Sequence, residues 1–302
     1  MNHLVGLSRV AAFGACLLII AAIVLRAAGV GNVRPVGSKE AVKIGSAFLN
    51  IGAAGNMKYK ARAMRKDYPP LRMCHVLELA LGVTSESGRL LKAQTWVEED
   101  TGRVLAYLPD ASYKRLKNKR KPLVAKSDII PKEKAQKLAE AYLQRAGVSV
   151  DGMRVTDFWL DGPRNDNNYY GYSCIFTRFS DTAGIGEVEL PETAVFRLDA
   201  VTGEVDEYFY KNYPVTVQLA PPTVSESRAE ALALECCKPG DVESITTNLM
   251  VFPGNGPKYD RQALAWHVVF KEKGVSGGSP LPVIIDAHTA AVLSCARLDR
   301  GR

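Results

Sequence analysis

Leu198-Asp199-Ala200-Val201-Thr202-Gly203-Glu204-Val205 recurs 87 residues later as Ile285-Asp286-Ala287-His288-Thr289-Ala290-Ala291-Val292. An acidic residue followed by Ala-x-Thr and a small residue, between two apolar flanks, reads as a tight turn joining two strands. Glycine accepts positive φ, while Asp and Thr side chains bond backbone groups within the turn. Asp199 and Asp286 are therefore turn-formers before they are candidate catalytic carboxylates. Upstream, residues 131–176 and 225–270 match without a gap at an offset of 94. Ala135, Leu138, Ala139 and Tyr142 stand against Ala229, Leu232, Ala233 and Cys236, both at the i, i+3, i+4, i+7 spacing of one helix face. Gly162-Pro163-Arg164 matches Gly256-Pro257-Lys258 in a loop. Tyr172 to Phe176 then matches Trp266 to Phe270 in an apolar strand-like run. The change of offset from 94 to 87 places a seven-residue length difference in a hairpin, where such changes are tolerated. Leu138 and Leu232, and Phe176 and Phe270, are expected in equivalent buried places, with Thr202 and Thr289 in equivalent turns.

A third, weaker copy precedes these two. A helix starting near Ser38 places Ala41, Ile44, Gly45 and Phe48 on one face. Cys74-His75-Val76-Leu77 aligns with Trp266-His267-Val268-Val269, and Glu98 to Val104 supplies the closing turn, with Glu98 in the place of Asp199. Each copy reads as one helix followed by about four antiparallel strands. The expected fold class is α+β: tandem modules of one helix packed on a small antiparallel sheet, preceded by an N-terminal transmembrane or signal helix. The expected divisions are a signal anchor or signal peptide at 1–30, a degenerate module at 36–108, a basic linker at 109–126, a module at 127–213 and another at 223–296.

The 302-residue chain is 47% hydrophobic and 24% charged, with a formal net charge of +7. That composition supports a folded core and excludes wholesale disorder. Much of the positive excess sits in Lys114 to Lys121. It is a local feature and not the broad basic face of a nucleic-acid binder, so no nucleic-acid partner is expected. Val10 to Leu25 is uninterrupted apolar sequence between Arg9 and Arg26. It is short of the roughly 20 residues of a typical span, but flanking arginines can snorkel. It reads as an uncleaved membrane anchor, with cleavage at Ala27-Ala28-Gly29 as the alternative. The C-terminal part would then lie outside the cytoplasm.

Of six cysteines, Cys16 lies inside the apolar run; Cys74, Cys174, Cys236, Cys237 and Cys295 are scattered and read as small buried hydrophobes. Cys236-Cys237 is the one pair with a redox alternative. Trp96, Trp159 and Trp266 read as core anchors. His75 and His267 read as sheet-face residues and His288 as an exposed turn residue. The loop from Gly162 to Asn168 is rich in oxygen ligands but lacks calcium-loop spacing. No H-E-x-x-H, G-x-S-x-G, phosphate-binding loop or dinucleotide fingerprint occurs. No catalytic, cofactor-binding or metal residue is assigned, and no enzyme activity or cofactor is expected.

The helix, the strand Ala263 to Phe270 and the closing Ile285-Asp286-Ala287-His288-Thr289 together resemble the PepSY domain, a module of secreted-peptidase propeptides and bacterial envelope proteins. The copy ending in Asp199 to Val205 resembles it as well. The first copy does so at its helix and its Asp100-Thr101-Gly102-Arg103-Val104 turn. Ala290 departs from the glycine that the family favours. The resemblance implies a helix on a curved antiparallel sheet, no catalytic residues, and binding or regulation of an envelope peptidase or cell-wall hydrolase. The alternative is a structural, scaffolding or sensing envelope protein without such a partner. An exposed sheet edge is the expected route of contact.

Overall fold

The computed structural model describes residues 35–51, 57–65, 71–85, 87–113, 124–162, 170–238, 242–254, 261–272 and 281–295. The apolar run at 10–25, the basic stretch at 114–121 and most of the 162–168 loop lie outside them. Three times along the chain a helix precedes four strands. The first set is α1 (Ser38–Phe48), β1 (Met57–Arg65), β2 (Arg72–Thr84), β3 (Leu90–Glu98) and β4 (Val104–Pro109). The second, after a 3-10 turn at Lys126–Asp128, is α2 (Lys132–Arg145), β5 (Met153–Asp161), β6 (Gly171–Thr182), β7 (Gly186–Asp199) and β8 (Val205–Asn212). The third is α3 (Glu226–Cys237), β9 (Val242–Phe252), β10 (Ala263–Glu272), β11 (Leu281–Asp286) and β12 (Val292–Cys295).

The helices form where the apolar spacing requires. α1 buries Ala41, Ile44, Gly45 and Phe48. α2 buries Ala135, Ala139, Tyr142 and Leu143, and α3 buries Ala229, Ala233 and Cys237. The Ser225 hydroxyl accepts from Arg228 N–H at 3.3 Å and caps α3. At its other end Lys238 adopts a left-handed conformation, φ 43°, and returns its N–H to the Leu234 carbonyl. Leu138 and Leu232 are only half-buried. The buried stripe runs one step round the helix from the expected one, towards Leu143 and Cys237.

The strands do not close into separate small sheets, and the expected fold class is corrected here. They join in one twelve-stranded mixed sheet of order β1-β2-β3-β4-β8-β7-β9-β10-β11-β12, with β6 branching from β7 and β5 paired to β6. The reason lies at the edges. A four-stranded sheet leaves unpaired N–H and C=O groups on its outer strands. β4 satisfies some of its own against β8, pairing antiparallel through Ala106↔Phe209 and Tyr107↔Tyr208. β7 meets β9 in a short parallel joint, Val188↔Leu249 and Glu189↔Met250.

By contacts the chain falls into two compact units, residues 1–176 with 193–211, and residues 177–192 with 212–302. In the first, residues of α1, β1–β4, α2, β6, β7 and β8 share one core. At its centre the Phe48 ring lies 6.5 Å from Tyr107, 5.8 Å from Tyr142 and 5.2 Å from Tyr208. Phe196 continues the cluster, 4.6 Å from Tyr208 and 6.0 Å from Phe176. The first two copies of the repeat therefore have no separate interiors. In the second unit α3 packs on Val268, Phe270, Val283, Ile285 and Cys295. A smaller cluster gathers Val188, Leu249, Val251, Leu264 and Ala287.

Candidate functional site

The three acidic residues at the closing turns have structural work. Asp199 Oδ1 accepts from Val201 N–H at 2.9 Å and Thr202 N–H at 3.1 Å. Asp286 Oδ1 does the same for His288 at 2.9 Å and Thr289 at 2.7 Å. Thr202 and Thr289 each accept an N–H two residues on, from Glu204 and Ala291. In the first copy Glu98 takes this place, accepting from Thr101 Oγ1 and pairing with Arg72. Arg103 N–H donates to Thr101 Oγ1 at 3.2 Å. Gly102, Gly203 and Ala290 hold the left-handed position, at φ 71°, 74° and 62°.

A second device ties each turn to the chain entering the helix of its own copy. Val36, Ile130 and Val224 donate their N–H groups to the carbonyls of Glu99, Ala200 and Ala287, at 2.8, 2.8 and 3.0 Å. Their own carbonyls each accept from a ring on a neighbouring strand: His75 Nε2 at 2.6 Å, Tyr172 Oη at 2.8 Å and Trp266 Nε1 at 2.8 Å. A carbonyl only accepts, so His75 carries a proton on Nε2. His75 is thus the counterpart of Tyr172 and Trp266, not of His267. The strand register agrees, because Cys74 faces Glu98 as Ala265 faces Asp286. The expected alignment of the first copy is one residue out, and in a strand that exchanges the two faces.

Cys74, Cys174, Cys237 and Cys295 are buried and Cys236 half-buried, and none of them is in a disulfide. Burial pushes the Cys174 thiol up to about 12, which keeps it protonated and unreactive. Trp96 and Trp266 pack against the cores. Trp159 does not; it is 45% exposed on β5, its indole N–H donating to Asp161 at 3.2 Å. His75 is buried on β2, His267 lies on β10, where burial lowers its pKa, and His288 is exposed. Among the described residues no three His, Cys, Asp or Glu side chains converge as a metal site would require.

Two clefts mark the first unit. One, about 500 Å³, is lined by charged groups of β1–β3 and the end of β4. There Glu78 bridges Lys60 at 2.6 Å and Lys92 at 2.8 Å, bonds that hold its carboxyl below the usual range. Arg89 pairs with Asp110 at 2.6 Å. These charges are spent on one another. The other cleft, about 660 Å³, runs between α2 and β5. Its walls include Leu143, Val150, Met153, Val155, Phe158 and Phe176. Lys132, Gln136, Glu140 and Gln144 stand along its rim at a spacing of four, one line down the helix. Lys132 Nζ lies 5.1 Å from the centre of the Phe158 ring.

Beside this cleft, β5 pairs only with β6, so its other edge has no strand partner among the described residues. β1 and β12 are likewise outer strands. β1 exposes Lys58, Lys60 and Arg62 beside Tyr59 and Met64, and β5 exposes Trp159 and Leu160 in succession beside Arg154 and Asp157. The cleft residues escaped the sequence reading. The one signal available was the four-residue spacing of Lys132, Gln136, Glu140 and Gln144, which also fits an ordinary solvated helix face.

Against known proteins, no family model matches the chain and no curated protein sequence matches it. Among solved structures it is similar to the Bacillus megaterium YpeB C-terminal domain, with a TM-score of 0.54 and 15% identity. The match covers 87% of this chain and 97% of that one. At that identity the likeness is one of fold.

Proposed function

We propose that this protein is a non-catalytic, PepSY-like component of the bacterial cell envelope, which binds and regulates a peptidase or cell-wall hydrolase through the cleft between α2 and β5. The observation that carries the reading is the cleft itself: an apolar floor, a polar helix rim and an unpaired strand edge along one side. An extended segment of the hydrolase could bond the β5 backbone while its apolar side chains meet Phe158 and Phe176. Support for the family comes from the repeated turn and helix motifs and from the fold shared with the YpeB C-terminal domain. Support for an envelope location comes from the apolar run Val10 to Leu25 as a membrane anchor. That run lies outside the described residues; among the described ones no helix is long and apolar enough to cross a membrane.

The test places a photo-crosslinking residue at Arg154, on the cleft, and separately at Ser227, an exposed position of α3, in the full-length chain in its own host. Cross-links at position 154 to a peptidase or cell-wall hydrolase, with its activity altered by the purified chain, are expected. Equal cross-linking from both positions, or none to any hydrolase, sinks the reading.

A further inference from the structure

Cys236 and Cys295 stand where the first copy of the repeat has two neighbouring aromatic rings. The ties at the helix entries align the helices. Val36 and Val224 make the same bond to their closing turns, so Phe48, twelve residues after Val36, corresponds to Cys236, twelve after Val224. Register aligns the strands. In the first copy Val97 faces Val104, Trp96 faces Ala106 and Thr95 faces Tyr107, with an irregularity between Trp96 and Val97. In the third, Ile285 faces Val292, Ile284 faces Ser294 and Val283 faces Cys295, with an irregularity between Ile284 and Ile285. Tyr107 therefore corresponds to Cys295. The Phe48 and Tyr107 rings lie 6.5 Å apart, and two thiols take their places between α3 and β12. Cα atoms of these two elements approach within 8 Å. A disulfide spans roughly 4.4–6.8 Å between Cα atoms, a separation that two facing rings exclude and two small thiols allow. We propose that Cys236 and Cys295 form a disulfide under oxidising conditions, which fastens the last turn of α3 to the outer strand β12.

Direction excludes the adjacent cysteine. Cys237 corresponds to Leu143, which lines the cleft between α2 and β5, and β5 lies across that copy's strands from β8. Cys237 is therefore on the β9 side of α3, and Cys236 on the β12 side. Cys236 packs against the cluster that contains Cys295. The structure holds both in the reduced state, with Cys236 half-buried and Cys295 buried, so a reagent reaches Cys236 first. Its thiolate attacks one sulfur of an oxidant's disulfide, small molecule or protein, and expels a thiolate. Cys295 then attacks the Cys236 sulfur of that mixed disulfide and expels the second thiolate. The protons lost by the two cysteines end on the two released thiolates. One disulfide forms, one is broken, and the oxidant leaves as two thiols. The step draws on the envelope reading only for its oxidant, because exported chains meet such disulfides. It needs no hydrolase partner.

Peptide mapping of the purified full-length chain tests this. One sample is treated with glutathione disulfide and another with dithiothreitol, the remaining thiols are alkylated after unfolding, and the digests are read by mass spectrometry. A linked Cys236–Cys295 peptide is expected in the oxidised sample, within single chains, and none in the reduced one. Hydrogen exchange in β12 and the last turn of α3 should be several-fold slower in the oxidised wild type than in the reduced, and insensitive to the oxidant in Cys236→Ser. Both thiols alkylated after oxidation, a glutathione adduct remaining on Cys236, a linkage through Cys237, or a link found only between two chains overturns the proposal. Equal exchange in the two wild-type states overturns the fastening of β12. The mapping uses the wild type, so a variant that fails to fold does not affect it. The hydrolase reading is decided by the cross-links from position 154, so the two can fail separately.

Discussion

Ala290 holds a φ of 62° where the other two closing turns place Gly102 and Gly203. A Cβ in that conformation crowds the following carbonyl and costs about 1–2 kcal/mol. Glycine removes the clash, though it also frees the unfolded chain. Ala290→Gly should therefore stabilise the second unit by about 1 kcal/mol, measured as a higher urea midpoint at unchanged slope. The reverse change at the equivalent site should harm. A Cβ on Gly203 would run into Leu138 Cδ1, and φ there is 74°. Gly203→Ala should lose at least about 1–2 kcal/mol. Equal responses at the two positions would mean that the turns are not equivalent, whatever their hydrogen bonds.

Each strand-to-helix tie is built from an N–H, a carbonyl and one ring donor, and the three rings differ in chemistry. Tyr172 allows the cleanest removal, because Tyr172→Phe deletes only the hydroxyl that donates to the Ile130 carbonyl. The carbonyl left behind is only partly reached by water, so the loss should be about 1–3 kcal/mol. Thermal unfolding of the pair measures it, and no change would reduce the tie to a bystander contact. These elements also show what the sequence could and could not convey. Helix periodicity and the Asp-Ala-x-Thr turn are local signals, and both are present where expected. Cys74-His75 resembles Trp266-His267 as a string, yet the strand register sets the first copy one residue away from that alignment. Hydrogen bonding instead pairs His75 with Trp266 by role. Trp159 was expected inside because tryptophan is costly to expose, but its strand is an outer one, and which strands lie outermost is a matter of pairing. The cleft between α2 and β5 is non-local in the same sense.

At the scale of the whole chain, sequence repetition and folding independence part company. Three copies of a helix and four strands invite the idea of three small folding units, yet Phe48 from the first copy has Tyr142 and Tyr208 from the second as ring neighbours. Tyr107 of the first and Tyr208 of the second also face each other across the β4–β8 pairing. Removing the Phe48 ring should therefore be felt in both copies. Phe48 is fully buried, and Phe→Ala at such a site costs about 3–5 kcal/mol. If the two copies share one cooperative core, Phe48→Ala lowers hydrogen-exchange protection in β2–β4 and in α2, β8 and the 193–199 stretch of β7 together, by similar free energies. If they were separate modules, protection would fall in β2–β4 and stay at the wild-type level in α2 and β8. The free-energy difference between those two sets of amides decides between them, because subglobal openings report each cooperative unit by itself. The expected difference is close to zero, because Phe48 sits where the two copies of the repeat share a single set of aromatic rings.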